Sequence, residues 1–211
     1  MKNLIIPILF LFTSFSVFAQ SETAPSNPNV RLGQKALLDG DFKLAATYLE
    51  KALPTESSDP NVLYMLGYAQ YHSGDYQKAL SAFGKVVEMK PDDERAYYYK
   101  GRLNNLLAVQ STTRLSTRER ENLLNQAIAD FTTGVSLNDE DVKLFQNRAI
   151  AYRDLGILLG TEGTDNYNKT AATEAYNNSV KDFEIVLSFQ PDRKDIETEI
   201  RKAKIYRDNL K

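Results

Sequence analysis

The sequence has no cysteine, no tryptophan and a single histidine, His72, among its 211 residues. Without cysteine the chain forms no disulfide, has no thiolate nucleophile and offers no thiolate ligand for zinc. One histidine argues against histidine-based catalysis and excludes a multi-histidine metal site within the chain. These absences argue against an enzyme and predict a protein with no metal and no cofactor.

The chain also lacks a charge excess of either sign. Its 26 lysines and arginines stand against 28 aspartates and glutamates, which gives a net charge of −2. A protein without a basic field does not gather phosphate groups, so a dedicated nucleic-acid binder is not expected. The 42% hydrophobic and 26% charged residues are typical of a globular domain with a sizeable core.

The first 19 residues differ from this average. Lys2 precedes an apolar stretch over residues 4–18, and small side chains precede a cleavage point after Ala19. This order predicts a secretory signal peptide over residues 1–19. The alternative is a retained membrane anchor, but crossing a bilayer takes about 20 apolar residues, and this stretch is shorter and is interrupted by Pro7.

No second apolar stretch of that length follows, so we expect no membrane insertion after signal cleavage. The end of the signal, residues 17–20, resembles signal ends common in Gram-negative bacteria, which favours a periplasmic or secreted protein. Residues 20–28 carry two prolines and small polar side chains, and this composition predicts a flexible linker.

Residues 60–93 carry small, aromatic and proline residues at fixed intervals. Gly67 is followed by Ala79 after 12 residues, by Phe83 after 16 and by Pro91 after 24. The two small residues allow a pair of antiparallel helices to approach closely, and the ring of Phe83 fills the space beside them. Pro91 cannot continue a helix, so it ends the second one.

The same intervals of 12 and 16 residues recur in residues 29–59, from Gly33 to Ala45 and Leu49. Here Pro54 is expected to end the second helix early. In residues 94–141 the interval between the small residues grows from 12 to 26, and in residues 142–193 it grows to 30. The chain therefore contains four repeats.

After the fourth repeat, residues 194–211 form a charged helical segment with Ile196, Ile200, Ala203 and Ile205 expected on one side. Such a helix, apolar on one face and polar on the other, would cover the last apolar face of an open stack.

These motifs resemble the 34-residue tetratricopeptide repeat across residues 29–208. The resemblance implies an all-α fold, a right-handed superhelix of paired A and B helices with a C-terminal capping helix. A simple helical bundle would not explain four aligned sets of small residues. Tetratricopeptide repeat proteins are interaction scaffolds without catalytic chemistry, so the resemblance implies a protein or peptide partner.

The two insertions, of 14 and 18 residues, lie between the A and B helices of adjacent repeats. These lengths are close to four and five helical turns, so sharing each insertion between two helices would lengthen both. Residues 116–119 form a capping-box motif that predicts the start of helix B in repeat 3.

The lengthened ends should form one projection from the stack with a leucine core of Leu106, Leu107, Leu123, Leu158 and Leu159. Two interpretations stay open, because the leucines either stabilise the projection alone or mark it as a docking surface.

The resemblance also implies a binding groove on the concave face, lined by the A helices. Family positions carried over to this sequence give the candidate groove residues Tyr64, Tyr68, Tyr71, Arg95, Tyr98, Tyr99, Arg102, Asn105, Gln146 and Arg153. Arginine binds carboxylates bidentately and tyrosine gives rigid contact area, which suggests an extended or acidic-ended peptide. Val30 and Met65 occupy two positions of the clamp that chaperone-binding members use, so that particular ligand is not expected.

The sequence shows no nucleophile paired with a base. We therefore predict a non-catalytic protein interaction adaptor of the cell envelope. The alternative is a structural subunit of a permanent periplasmic or secretion assembly.

Overall fold

The computed structural model describes residues 27–110 and 114–210, in which the chain forms nine α-helices and no strand. Their bounds are α1 Pro28–Leu38, α2 Phe42–Glu56, α3 Pro60–Ser73, α4 Tyr76–Met89, α5 Glu94–Val109, α6 Thr117–Leu137, α7 Val142–Leu159, α8 Lys169–Phe189 and α9 Lys194–Asp208. Each helix packs against the next along the chain. Four A and B pairs followed by one further A helix confirm the predicted all-α repeat fold.

Of the residues covered by the N-terminal predictions, the structure describes only 27 and 28. The signal peptide over 1–19 and linker residues 20–26 lie outside the described residues. Helix α1 begins at Pro28, inside the predicted linker, because Asn27 caps it by accepting a hydrogen bond from the backbone N–H of Asn29 at 2.8 Å.

Local sequence sets where the helices start and stop. The Asp59 side chain caps α3 by accepting from the backbone N–H of Asn61 at 2.8 Å. Ser116 and Glu119 form the predicted capping box at the start of α6. Gly74, with φ of 88°, ends α3 in the left-handed conformation that glycine adopts without strain.

The prediction that Pro54 ends α2 early is wrong. Pro54 lies inside α2, which continues to Glu56. Proline removes one helical hydrogen bond, and this loss falls in the final turn of the helix. Two side-chain hydrogen bonds hold that turn, because the Thr55 hydroxyl donates to the carbonyl oxygen of Ala52 at 3.2 Å and accepts from the amide of Asn27 at 2.8 Å.

Glycines in the A helices bring the paired helices into contact. A Cβ atom added to Gly33 would lie 2.6 Å from the Leu49 side chain, and one added to Gly101 would lie 2.8 Å from the Phe131 ring. Gly67 meets Phe83 in the same way at 3.0 Å. The predicted close approach at these small residues is therefore confirmed.

The insertions lengthen the helices unequally. Helices α6 and α8 have 21 residues each, whereas α7 has 18 and α5 only 16, compared with 14 in α3 and α4. The prediction that each insertion lengthens both helices of its repeat is confirmed, and the B helices gain more residues than the A helices, which end at the caps Gln110 and Gly160.

The lengthened ends nevertheless share one apolar cluster. It contains Leu124 of α6, Leu155 and Leu159 of α7, and Ala172 of α8, with Leu123 and Leu158 packed at its edge. Three of the five leucines predicted for the core, Leu123, Leu158 and Leu159, belong to this cluster, so the joint packing of the two insertions is confirmed in this part.

Repeats 3 and 4 each contain a charge pair between their helices in which the carboxylate is buried. The Arg148 guanidinium forms two hydrogen bonds with the Asp182 carboxylate, at 2.7 and 2.9 Å. The Lys100 ammonium lies 2.5 Å from the Asp130 carboxylate, which also accepts from the Asn104 amide at 2.9 Å. These pairs join the A helix to the B helix of each long repeat.

Helix α9 packs its apolar face on α8 and turns charged side chains outward. Ile196, Ile200 and Ala203 are buried, as predicted, but Ile205 is 55% exposed and does not share that face. Counted from the helix start, Arg201 stands where α3 has Gly67. Its exposed side chain donates to the Thr198 hydroxyl at 3.0 Å and occupies the place at which a B helix would approach.

We expect Gly101→Ala to lower the free energy of unfolding by ~1 to 3 kcal/mol, because its methyl group overlaps the Phe131 ring. Gly84→Ala is the matched control, since no heavy atom lies within 4 Å of its Cβ position in the middle of α4. That change should stabilise the protein by ~0.5 to 1 kcal/mol. Urea denaturation measures both, and effects of the same sign would contradict the packing.

We expect Asp182→Ala to cost ~3 to 5 kcal/mol of stability, because it leaves the Arg148 charge buried and unpaired. The side chains of Arg148 and Asp182 are only 15% and 4% exposed. Lys78→Ala, which removes an exposed pair with Glu50, is the control and should leave the urea midpoint unchanged. Similar midpoints for the two variants would show that the buried pair is not needed.

Candidate functional site

The odd-numbered helices form the inner layer of the stack. Helix α3 contacts α1 and α5, and α7 contacts α5 and α9, whereas within the described residues no even-numbered helix contacts another. Helices on the inside of a curved stack lie closer to one another than those on the outside. The A helices therefore line the concave face.

Five tyrosines from α3 and α5 meet on this face. Tyr99 is at the centre, with ring centroids 5.6 Å from Tyr68, 5.4 Å from Tyr71 and 5.2 Å from Tyr98. Tyr64, Tyr68 and Tyr71 are spaced four and three residues apart, so one side of α3 presents all three. We call these five residues, Tyr64, Tyr68, Tyr71, Tyr98 and Tyr99, the tyrosine cluster.

The tyrosine cluster rests directly on the core of repeat 2. The ring of Tyr99 stacks on Phe83 with centroids 5.0 Å apart, and Phe83 in turn packs against Gly67. Burial raises the pKa of Tyr64 to about 12, although the nearby Arg95 charge opposes the shift. Burial raises the pKa of Tyr99 further. Tyr64 and Tyr99 therefore stay neutral at physiological pH.

Arg95 lies at the edge of the cluster and is already paired. Its guanidinium donates to both carboxylate oxygens of Asp93, at 3.2 and 2.9 Å, and lies 4.9 Å from the ring centroid of Tyr64. Arg95, Tyr64, Tyr98 and Tyr99 line a small cleft of about 200 Å³ together with Glu94, Asp141 and Lys143.

Arg102 lies between two rings of the tyrosine cluster. Its guanidinium is 5.2 Å from the centroid of Tyr71 and 5.6 Å from that of Tyr98, and it donates to the Tyr98 hydroxyl at 3.3 Å. These contacts hold the guanidinium plane against aromatic surface.

The remaining predicted groove residues form hydrogen bonds within the protein. Asn105 donates to the Asp154 carboxylate at 3.1 Å, and Gln146 accepts from Arg193 at 3.4 Å. Arg153 is paired with Asp154 at 2.9 Å and with Glu199 of α9 at 2.5 Å. The structure thus brings seven of the ten predicted residues together around α3 and α5, and places the other three in a network towards α9.

Two further aromatic residues extend the tyrosine cluster, His72, which occupies a concave-face position of the family in repeat 2, and Phe42, which the sequence did not assign to the groove. His72 stacks on Phe42 with centroids 4.6 Å apart, and Phe42 meets Tyr68 at 6.0 Å. Burial lowers the pKa of His72, and the Arg102 charge lowers it further. Phe42 follows the turn before α2, and its position relative to Gly40 matches that of Tyr76 relative to Gly74.

Residues 27–110 and 114–210 contain no group of three or more histidine, aspartate and glutamate side chains placed to hold a metal ion. Within the same residues, no helix is both long enough and apolar enough to span a membrane.

We expect the phenol of Tyr64 to ionise near pH 12 rather than near its ordinary value of 10. Because the folded pKa is the higher one, the stability that Tyr64 contributes is present below pH 10 and is lost as the pH rises from 10 to 12. The difference in phenolate absorbance between the parent and Tyr64→Phe measures this titration. A midpoint near 10 would contradict the burial of this ring.

Residues 36–103 match the sequence model of the tetratricopeptide repeat family. No curated protein matches the sequence significantly. Among solved structures, the crystal structure of MamA protein has a TM-score of 0.55 at 17% identity and covers 85% of this chain and 90% of its own. The MamA fragment from residue 41 to its end, from Desulfovibrio magneticus RS-1, has a TM-score of 0.52 at 22% identity, covering 84% and 92%.

A thermophilic tetratricopeptide repeat protein of Thermus thermophilus, TTC0263, has a TM-score of 0.50 at 22% identity and covers 84% of this chain and 97% of its own. At identities this low, the structural similarity shows a common fold and nothing about function. The matched segment spans the end of α1 to the middle of α5, and α6 to α9 continue the same pairing of helices. Residues 36–103 therefore carry tetratricopeptide repeats, and the described chain as a whole has the fold of tetratricopeptide repeat proteins.

Proposed function

We propose that this protein is a non-catalytic adaptor of the cell envelope that binds a segment of a partner protein along its concave face. The observation that carries the proposal is the tyrosine cluster, which presents half-buried rings on the inner layer of the stack with arginine at its edge. Tyrosine and arginine supply much of the binding energy in protein interfaces, because they offer large contact areas and directed hydrogen bonds.

The rigidity of the tyrosine cluster supports the proposal. Each ring contacts at least one other ring of the cluster, so its side-chain rotation is restricted before any partner arrives. A surface ordered in advance loses little conformational entropy on binding. A concave surface with a cleft of only about 200 Å³ suits an extended segment better than a compact domain.

The absence of catalytic chemistry belongs to the same proposal. The single histidine stacks on Phe42 and contacts the rings of Tyr68 and Tyr71, and among the described residues no hydrogen bond pairs it with a serine or a carboxylate. The proposed location in the periplasm, or outside the cell, rests on the signal-like residues 1–19. With a net charge of −2, the partner is proposed to be a protein rather than a nucleic acid.

The test is affinity capture with the purified protein as bait, followed by mass spectrometry. Parent protein should capture a specific partner from an envelope extract and not from a cytosolic extract, and the double variant Tyr68→Ala/Tyr98→Ala should lose it. Both side chains are half-buried on the concave face, so circular dichroism should show the helices intact.

The matched control is Lys85→Ala/Glu88→Ala, two exposed changes on the outer helix α4, which should capture as the parent does. Equal loss in the control, or full capture by the tyrosine variant, would place recognition outside the groove. Capture only from the cytosolic extract would contradict the proposed location.

The second candidate function is a structural subunit of a permanent assembly. It is favoured by Met89, Leu137 and Phe189, which are 43%, 42% and 50% exposed and occupy the same place at the end of three B helices. Capture at a fixed stoichiometry that survives high salt, and that the tyrosine variant retains, would favour this function over the adaptor.

A further inference from the structure

The three arginines predicted for the groove differ in whether a carboxylate of the same chain pairs with their charge. Arg95 is paired with Asp93, and Arg153 is paired with both Asp154 and Glu199. Among residues 27–110 and 114–210, Arg102 has no carboxylate within ion-pairing distance, and its hydrogen bond is to the neutral hydroxyl of Tyr98. The concave face therefore carries an uncompensated positive charge at Arg102.

The surroundings of Arg102 prepare its guanidinium for an anion. The rings of Tyr71 and Tyr98 lie 5.2 and 5.6 Å away and shield part of the group from water. The hydrogen bond to Tyr98 uses one of the five N–H donors of the guanidinium and fixes the orientation of its plane. The other donors remain free to bind two oxygens of one planar group side by side.

We propose that Arg102 binds the side-chain carboxylate of an aspartate or glutamate within the partner segment. A single positive charge matches a carboxylate, which carries one negative charge. A phosphate group carries nearly two and favours several cations, whereas the other two arginines of the groove, Arg95 and Arg153, are already paired with carboxylates. This inference rests on the proposed function and names the chemistry that the groove selects.

The path of the groove indicates an acidic residue inside the segment rather than at its end. Tyr68 and Tyr71 continue the aromatic surface on the α3 side of Arg102. On the opposite side, Tyr98 separates Arg102 from the cleft of about 200 Å³, which has room for one further side chain. A segment anchored at Arg102 therefore has contact surface available in both directions.

The test uses three small probes of defined charge. N-acetylglutamate N-methylamide carries a side-chain carboxylate, N-acetylglutamine N-methylamide is its neutral twin, and N-acetylalanine carries a C-terminal carboxylate. Each is titrated into the ¹⁵N-labelled protein, and the side-chain Nε–Hε signals of the arginines are followed by NMR. Arg102→Gln identifies the signal of Arg102 by its disappearance.

We expect the glutamate probe to shift the Arg102 signal saturably and to bind at least about tenfold more tightly than its neutral twin, the loss expected for a hydrogen-bonded charge. Added salt should weaken the binding. Lys85→Gln, the same loss of one positive charge on the exposed face of the outer helix α4, is the matched control and should leave it unchanged. Equal binding of the neutral probe, tighter binding of N-acetylalanine, or a shift confined to Arg95 would each overturn the proposal.

A capture experiment with Arg102→Gln separates this inference from the proposed function. If a partner depends on Tyr68 and Tyr98 but is captured equally well by Arg102→Gln, the groove binds a partner and the carboxylate assignment is wrong. If Arg102→Gln and Tyr68→Ala/Tyr98→Ala both lose the partner while Lys85→Gln keeps it, both proposals stand. If none of the variants changes capture, both fail.

Discussion

The close contact between A and B helices at glycine residues determines how the rest of this structure is arranged. At Gly33, Gly67 and Gly101 the partner side chain occupies the volume where a Cβ atom would lie. Because packed interiors tolerate little overlap, this contact fixes the rotation of one helix against the other. The side of α3 that carries Tyr64, Tyr68 and Tyr71 is thereby directed to the concave face, so core packing determines the groove.

The longer repeats add electrostatic contacts to this packing. Lys100 and Arg148 each stand one residue before the small residue of helix A, while Asp130 and Asp182 each stand one residue before the phenylalanine of helix B. The two pairs therefore occupy equivalent places and join helices that are longer than the family's repeat length allows. Burial raises the pKa of Asp130 although the Lys100 charge opposes it, so this pair depends on its close geometry.

The fold could be predicted from the sequence because small and aromatic residues recur at intervals set by helix geometry. The lengths of α5 to α8 could not, since capping and turn residues divide an insertion between helix and loop in ways that its total length does not determine. The residues of the groove could be predicted from the family positions. Which of its arginines already pair with a carboxylate of the same chain could not be predicted. Glu199 pairs with Arg153 across 46 positions, and only the packing of α9 brings them together. The repeated placement of Lys100 and Asp130 was, in contrast, visible in the sequence.

The number of described A helices has a consequence for the length of the segment that we propose to bind along this surface. Arg201 stands where a B helix would need a small residue, so a helix packed on α9 in the manner of the four before it would require this side chain to move. The described part of the inner layer consists of five helices, α1, α3, α5, α7 and α9. With neighbouring axes ~8 to 10 Å apart, it measures roughly 32 to 40 Å. An extended polypeptide advances ~3.3 Å per residue, so a segment of about ten to twelve amino acids has the same length as these five helices side by side.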